Sequence, residues 1–279
     1  MPCTPNPHAD QQPTCLEKRF TIAAAGRQLE ALHLTANSAA SPTIVFLHEG
    51  LGSISLWRDF PQRLVAATGY SALIYSRNGY GQSDVLAELR APDYMHREAL
   101  DVLPSVLAQC EIDSPILLGH SDGASIALIY AGAGNNVDGL IVEAPHLFVE
   151  EISLRGVAQA ALTYRTSDLR QKLARHHRDA DKTFWGWHDV WTSAAFRDWN
   201  IEAYVASIRC PILAIQGEQD DYGSAAQIQA IANVCRNNAE LHLLSPCGHM
   251  PHRDQAAATL DLIRAFVLRL PHDIRADPA

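Results

Sequence analysis

Lysine is scarce in this chain: Lys18, Lys172 and Lys182 are the whole complement, and the formal net charge is −9. With no basic surface to set against a phosphate backbone, nucleic acid is excluded as a partner. Long apolar runs are also missing. No stretch reaches the roughly 18 apolar residues of a membrane-spanning helix, and Met1-Pro2-Cys3-Thr4-Pro5-Asn6-Pro7 lacks the basic and apolar regions of a secretory signal. The six cysteines (Cys3, Cys15, Cys110, Cys210, Cys235, Cys247) contain no C-x-x-C pair, which removes the usual zinc and redox frameworks. They read as reduced thiols, several of them in apolar segments, and a cytoplasmic protein is expected.

What is present suffices for one large core. The chain has 279 residues, 47% of them hydrophobic, enough for a single domain with an inserted subdomain and no disulfides. Residues 1–16, rich in Pro, Gln, His and Asp without periodicity, predict a flexible tail. Arg19 to Ile22 and Gln28 to Thr35, around Ala25-Gly26, predict a leading antiparallel hairpin. Short apolar runs then predict strands buried on both faces at Thr43–Leu47, Ser71–Tyr75, Pro115–Leu118, Gly139–Val142, Pro211–Ile215 and Glu240–Leu244. Helical stretches fall between them at Leu56–Ala67, Asp93–Ala108, Gly123–Ala131, Ala225–Ala232 and Gln255–Arg269. The expected fold class is α/β: a mostly parallel central sheet with helices on both faces. Residues 146–207 interrupt the alternation, carry no credible buried strand, and predict a helical cap inserted into a body formed by 17–145 and 208–279. Trp185, Trp187 and Trp191 within it stand either as cap core or as the wall of a substrate pocket.

The strongest chemical signal is Gly119-His120-Ser121-Asp122-Gly123, a G-x-S-x-G element directly after an apolar strand and before an Ala-rich helix. In so tight a turn the flanking glycines avoid backbone collisions while the serine takes strained dihedrals that expose its hydroxyl. Serine needs an imidazole to accept its proton and return it to the leaving group. His249, in Cys247-Gly248-His249-Met250-Pro251-His252 after the last strand, supplies it, with His252 as competitor. A carboxylate to hold that imidazole follows the strand before it, where Asp220 and Asp221 are neighbours and only one can point inward. Two backbone donors should face the oxyanion. One is the amide of Asp122; the other comes from His48-Glu49-Gly50-Leu51-Gly52, with Gly50 first and Leu51 in reserve. His249 and His252 form an H-x-x-H without a third ligand cluster, so no metal and no cofactor are expected.

Together these motifs resemble the α/β-hydrolase superfamily from Lys18 to Leu270. Arg77-Asn78-Gly79-Tyr80-Gly81-Gln82-Ser83-Asp84 is similar to the R-G-x-G-x-S-D turn of the branch that includes epoxide hydrolases, haloalkane dehalogenases and many carboxylesterases. The resemblance implies Asp220 as the acid, by its offset from Gly217. It also implies acyl transfer to serine, because dehalogenases and epoxide hydrolases use a carboxylate nucleophile. The expected function is cleavage of a small to medium carboxylic ester through an acyl-enzyme. A thioester, lactone, amide or C–C bond is the alternative on the same triad, and a non-catalytic ligand-binding protein the remote one. The partner is then a small acyl substrate; oligomeric state is not legible. Two departures from the pattern stand out. Glu49 replaces a usual glycine beside the oxyanion loop, where it would line the pocket with Leu51 or serve as a brace to backbone amides or to Arg58 or Arg77. Asp122 follows the nucleophile, where its side chain would either point at the pocket and favour a cationic substrate group or, the preferred reading, face away and pair locally.

Overall fold

The computed structural model describes residues 15–36, 42–235 and 238–271. The expected tail at 1–16 lies outside the described residues up to position 14, and Leu16 already opens a strand. Eight strands form one sheet: β1 (Leu16–Ala24), β2 (Arg27–Thr35), β3 (Ile44–Leu47), β4 (Ala72–Tyr75), β5 (Ile116–His120), β6 (Gly139–Glu143), β7 (Ile212–Gly217) and β8 (Ala239–Leu244). Their spatial order is β1-β2-β4-β3-β5-β6-β7-β8. The β1–β2 hairpin turns at Ala25-Gly26 and pairs antiparallel with β4, and every pair from β4 to β8 is parallel.

Alternate residues of the central strands feed two separate cores. Val45 and Leu47 of β3, Leu73 and Tyr75 of β4 and Leu117 of β5 pack on one face, while Ile44, Phe46, Ala72, Ile74, Ile116 and Leu118 pack on the other. That double burial explains why these strands read as unbroken apolar runs. The second core is closed by α1 (Phe60–Thr68) and by the C-terminal helix introduced below. The first is closed by the stretch after β4, which consists of α2 (Tyr94–Arg97), a π turn over Glu98–Val102 and α3 (Leu103–Gln109). The sequence predicted one helix here. Pro104 has no N–H to offer the preceding turn, and the ladder loosens ahead of it. α4 (Asp122–Gly132) is buried along almost its whole length beneath the same face.

Between β6 and β7 lie α5 (Glu151–Thr166), α6 (Leu169–Leu173), α7 (Ala180–Thr192) and α8 (Glu202–Val205). An isolated bridge between Phe148 and Asn200 draws the two ends of this insertion together. The chain then continues through α9 (Ala226–Val234), β8, α10 (Pro251–Asp254) and α11 (Ala256–Val267), whose Ile263, Phe266 and Val267 complete the second core. One expectation fails: β8 is not buried on both faces. It is the edge strand, half-buried, with Leu243 48% exposed. Among the described residues no helix is long and apolar enough to cross a membrane.

β3 and β5 are neighbours in the sheet, and the helices that follow them, α1 and α4, pack on opposite faces. This is the switch point at which open α/β sheets leave a crevice beyond the carboxyl ends of their strands. Leu47 of β3 is in register with Gly119 of β5, which brings the loop carrying Glu49 and Gly50 beside the turn carrying Ser121.

Candidate active site

Ser121 occupies the turn between β5 and α4 with φ +53° and ψ −118°, a region that costs a non-glycine residue about 1–3 kcal/mol. The surroundings hold it there. Its amide donates to the Glu143 carbonyl at 2.9 Å, and its carbonyl accepts from the Ser125 amide at 3.1 Å. A Cβ on Gly119 would strike the Gly123 backbone, and one on Gly123 would strike the carbonyl of Leu47. Both glycines are therefore required by close backbone approach.

His249, in the loop between β8 and α10, turns Nε2 toward Ser121 Oγ at 3.0 Å. Its Nδ1 lies 2.8 and 2.9 Å from the two carboxylate oxygens of Asp220. The proton arrangement that satisfies both contacts has Nδ1–H donating to Asp220 and Nε2 accepting from the serine hydroxyl. Asp220 is buried and also accepts from Gln216 Nε2 at 2.6 Å and from the Tyr222 amide at 2.7 Å. Burial works against its charge, yet His249 and the Tyr222 amide outweigh it and hold the carboxyl below its usual value. Asp221, the neighbouring candidate, is exposed. His252, the competing histidine, is buried elsewhere, with Nδ1 2.7 Å from Glu143 Oε2.

The loop after β3 is anchored from behind. Glu49 O accepts from His48 Nδ1 at 2.7 Å, Arg77 Nη2 at 2.9 Å and the Gly52 amide at 3.1 Å. Gly50 lies under the Trp187 indole so closely that a Cβ would collide with the ring. The Asp122 amide is the first of α4 and has no intrahelical acceptor. Its side chain faces away from the cavity, accepting from Tyr94 Oη at 2.6 Å and lying 3.8 Å from Arg77 Nη2.

The Glu49 carboxylate is braced, but by neither of the arginines the sequence suggested. Arg77 takes its carbonyl, and Arg58 stands exposed on the cavity wall. The partner is His120, whose Nδ1 is 3.5 Å from Glu49 Oε2 and whose Nε2 donates to the His249 carbonyl at 2.7 Å. Both nitrogens thus face acceptors, which suits the imidazolium. Burial disfavours that charge, yet Glu49, Glu143 and the His249 carbonyl raise the His120 pKa, while His120 holds Glu49 well below the usual carboxylate range against the burial of both. His120 escaped the sequence reading because it looks like the variable position of G-x-S-x-G.

A cavity of about 570 Å³ opens over Ser121. Glu49, Leu51, Trp187 and Trp191 line it. Trp185 does not: its ring packs on Phe184 at 5.0 Å and under Arg165 at 4.9 Å, on the side of α7 turned from the cavity. Trp185 and Trp187 cannot share one face of the helix, since residues two apart point about 200° apart. His146 and Ser153 also line the cavity, and no motif marked them. Among the described residues no group of three or more His, Cys, Asp or Glu side chains is placed to hold a metal ion, and all five described cysteines are free thiols.

The α/β hydrolase family model matches residues 44–262. The chain belongs to the α/β-hydrolase family. No curated protein sequence matches it. Among solved structures it is similar to the 2-hydroxy-6-oxo-6-phenylhexa-2,4-dienoate hydrolase of Rhodococcus sp. strain RHA1, with 16% identity and a TM-score of 0.74 over 91% of this chain and 99% of that one. It is also similar to the enol-lactonase of Burkholderia xenovorans LB400, with 17% identity and a TM-score of 0.71 over 90% and 100% of the two chains. The proline iminopeptidase of Mycobacterium smegmatis follows at 15% identity and a TM-score of 0.69, over 90% and 98%. At such identities this α/β-hydrolase shares the fold of these proteins, and their names bear on its chemistry no further.

Proposed function

We propose that this α/β-hydrolase cleaves a small to medium carboxylic ester through an acyl-enzyme on Ser121. The observation that carries the reading is the unbroken series Ser121 Oγ, His249, Asp220, with 3.0 Å and 2.8 Å steps. His249 Nε2 takes the hydroxyl proton as Oγ adds to the ester carbonyl, and Asp220 stabilises the imidazolium that forms. The tetrahedral oxyanion is received by the amides of Gly50 and Asp122, each such donor being worth about 3 kcal/mol in comparable sites. His249 returns the proton to the departing alkoxide, leaving an ester on Ser121. Water, deprotonated by the same nitrogen, then releases the acid. Glu49 does not oppose the developing charge, because its own is balanced by His120 across 3.5 Å. In this account residues 146–207 act as the cap over a catalytic body of 17–145 and 208–279.

The proposal is tested by turnover of acyl esters of graded chain length beside thioesters, lactones and amides of the same acyl groups. Esters should be cleaved fastest, and Ser121→Ala should abolish turnover while leaving the melting temperature near that of wild type. Activity of Ser121→Ala within about tenfold of wild type would remove Ser121 from its role, since loss of such a nucleophile costs several powers of ten.

A further inference from the structure

The cavity over Ser121 differs in charge from the chain that forms it. The sequence holds 31 acidic against 22 basic side chains, yet among the described residues Arg58, Lys172 and Arg253 line this cavity with Glu49 as its only acid, and Glu49 already faces His120. Lys172 is paired with Asp168 at 2.9 Å. The two arginines have no such partner: among the described residues neither is in an ion pair, and the Arg253 side chain donates only to Met250 Sδ, at 3.4 Å. Asp59 and Asp254, their neighbours in sequence, stand outside the cavity wall, and Asp254 accepts from the Gly248 amide at 3.0 Å.

Contacts between neighbouring residues gather these cations around one 3-10 turn, Ile54–Trp57, which ends at Arg58. Trp57 and His252, which directly precede Arg58 and Arg253, have ring centroids 4.6 Å apart. Ser55, in the same turn, has Oγ 2.8 Å from Nδ1 of His176. His176 lines the cavity too and follows Lys172 by about one helical turn, where the chain continues α6. All three cations are exposed whereas Ser121 is buried, so they stand at the solvent end of the cavity and the nucleophile at its floor. Arg58 holds φ +54° and ψ −127°, a conformation that glycine takes freely and arginine only under strain, so the fold itself fixes the root of this side chain.

From this arrangement we infer that the cavity mouth is a subsite for an anion, a carboxylate or a phosphate, carried by the substrate at the end remote from the scissile bond. Arg58 and Arg253 receive it, and Lys172 adds its charge. The inference deepens the esterase reading and rests on it: the substrate class becomes an ester whose apolar chain ends in an anionic group. The planar guanidinium fork matches the oxygens of either anion. At the mouth both partners keep part of their hydration, so the pairing avoids the desolvation penalty of a buried charge. A molecule with a net charge of −9 repels an anionic substrate at long range, and unpaired cations at the entrance reverse that field where the substrate must pass. The apolar part of the wall, with Leu51, Val157, Leu173 and Trp187, suits the intervening chain.

The test uses three series of esters: monophenyl esters of hexanedioic to decanedioic acid, with the anion on the acyl chain; acetates of ω-hydroxyalkanoic acids, with a carboxylate on the alcohol; and acetates of ω-hydroxyalkyl phosphates. Each is measured beside the ester of equal length that ends in an uncharged carboxamide. In at least one series kcat/KM should exceed that of the carboxamide by about fivefold or more at low salt, the size expected of a few exposed ion pairs. That ratio should fall toward one in about 1 M sodium chloride, where exposed charges are screened. Arg58→Glu and Arg253→Glu should each lower the ratio, and the double variant should bring it to one or below. A ratio of one or less in every series overturns the subsite, as does a preference that persists at high salt or in a double variant with wild-type melting temperature. If no ester is turned over, the esterase reading has failed separately. Calorimetric titration of the wild-type protein with monomethyl octanedioate and its carboxamide then decides the subsite: tighter, salt-sensitive binding of the acid that the double variant abolishes supports it, and equal binding of the two, or none, overturns it.

Discussion

Arg77 Nη2 lies 2.9 Å from the carbonyl oxygen of Glu49, and that carbonyl belongs to the peptide whose N–H is that of Gly50. In a trans peptide the two groups point in opposite directions. A guanidinium fixed behind the carbonyl therefore aims the Gly50 amide, and with His48 Nδ1 and the Gly52 amide on the same oxygen it polarises the unit toward stronger donation. Arg77 also reaches the His48 carbonyl at 3.1 Å and lies 3.8 Å from the Asp122 carboxylate, so one fully buried cation backs both proposed oxyanion donors.

Arg77→Lys retains the charge and loses the fork that serves several acceptors at once. The expected outcome is a fall in kcat of about tenfold to a hundredfold with KM nearly constant, as when a donor to the transition state is misaligned. Steady-state kinetics on a variant with wild-type circular dichroism check it. A rise in KM at unchanged kcat would make Arg77 a packing element of the ground-state pocket.

Asp220→Asn should cost far more turnover than Asp221→Asn. Asp220 is buried against His249 Nδ1, whereas Asp221 is exposed. An amide at 220 presents an N–H where an acceptor is needed and favours the wrong imidazole tautomer, which in comparable triads costs about 10⁴ in kcat. Single-turnover rates for both variants decide the order, and a larger loss in Asp221→Asn would reassign the acid.

Trp187 and Trp185 should separate cleanly. Trp187→Ala removes the indole lying on Gly50 and enlarges the cavity, so the preferred acyl chain length should move upward. Trp185→Ala strips an aromatic face from Phe184 and Tyr164, and is expected to lower the melting temperature while leaving chain-length preference as it was. Profiles that change together would mean that α7 responds as one body and that the assignment of faces is immaterial.

The contrast between these two tryptophans shows what the sequence could and could not disclose. Strands β3 to β7 were legible because burial on both faces leaves an unbroken apolar run. The meeting of Ser121 and His249 with an aspartate at 220 or 221 was legible because a strand-to-helix turn and chain order constrain them, and the choice of Asp220 came from the resemblance. β8 was misjudged as fully buried, since an edge strand can carry apolar residues too. The partners of Glu49 and the cavity placement of His146 and Ser153 were hidden, because they depend on side chains that converge from separate elements. Those contacts are tertiary, and no local period encodes them.

Glu49 and His120 give the last prediction, one of pH. The folded Glu49 carboxyl is held below its ordinary pKa, so its contribution to stability is present above about pH 4.3 and is lost as the pH falls through the lower folded value. The folded His120 imidazole has a raised pKa, so its contribution is complete below about pH 6.5 and is lost as the pH rises through the higher folded value. The pair therefore stabilises the fold most between those two limits. Glu49→Gln keeps the shape and removes the counter-charge. Its melting temperature should fall below that of wild type by the largest margin near pH 5 to 6, with the margin shrinking as the pH rises through the raised His120 value. KM values for neutral and cationic esters should shift by similar factors, because a brace has been loosened and no substrate contact removed. Thermal melts across pH, paired with those KM values, check the reading. A margin independent of pH, accompanied by selective loss of cationic esters, would make Glu49 a specificity residue and detach it from His120.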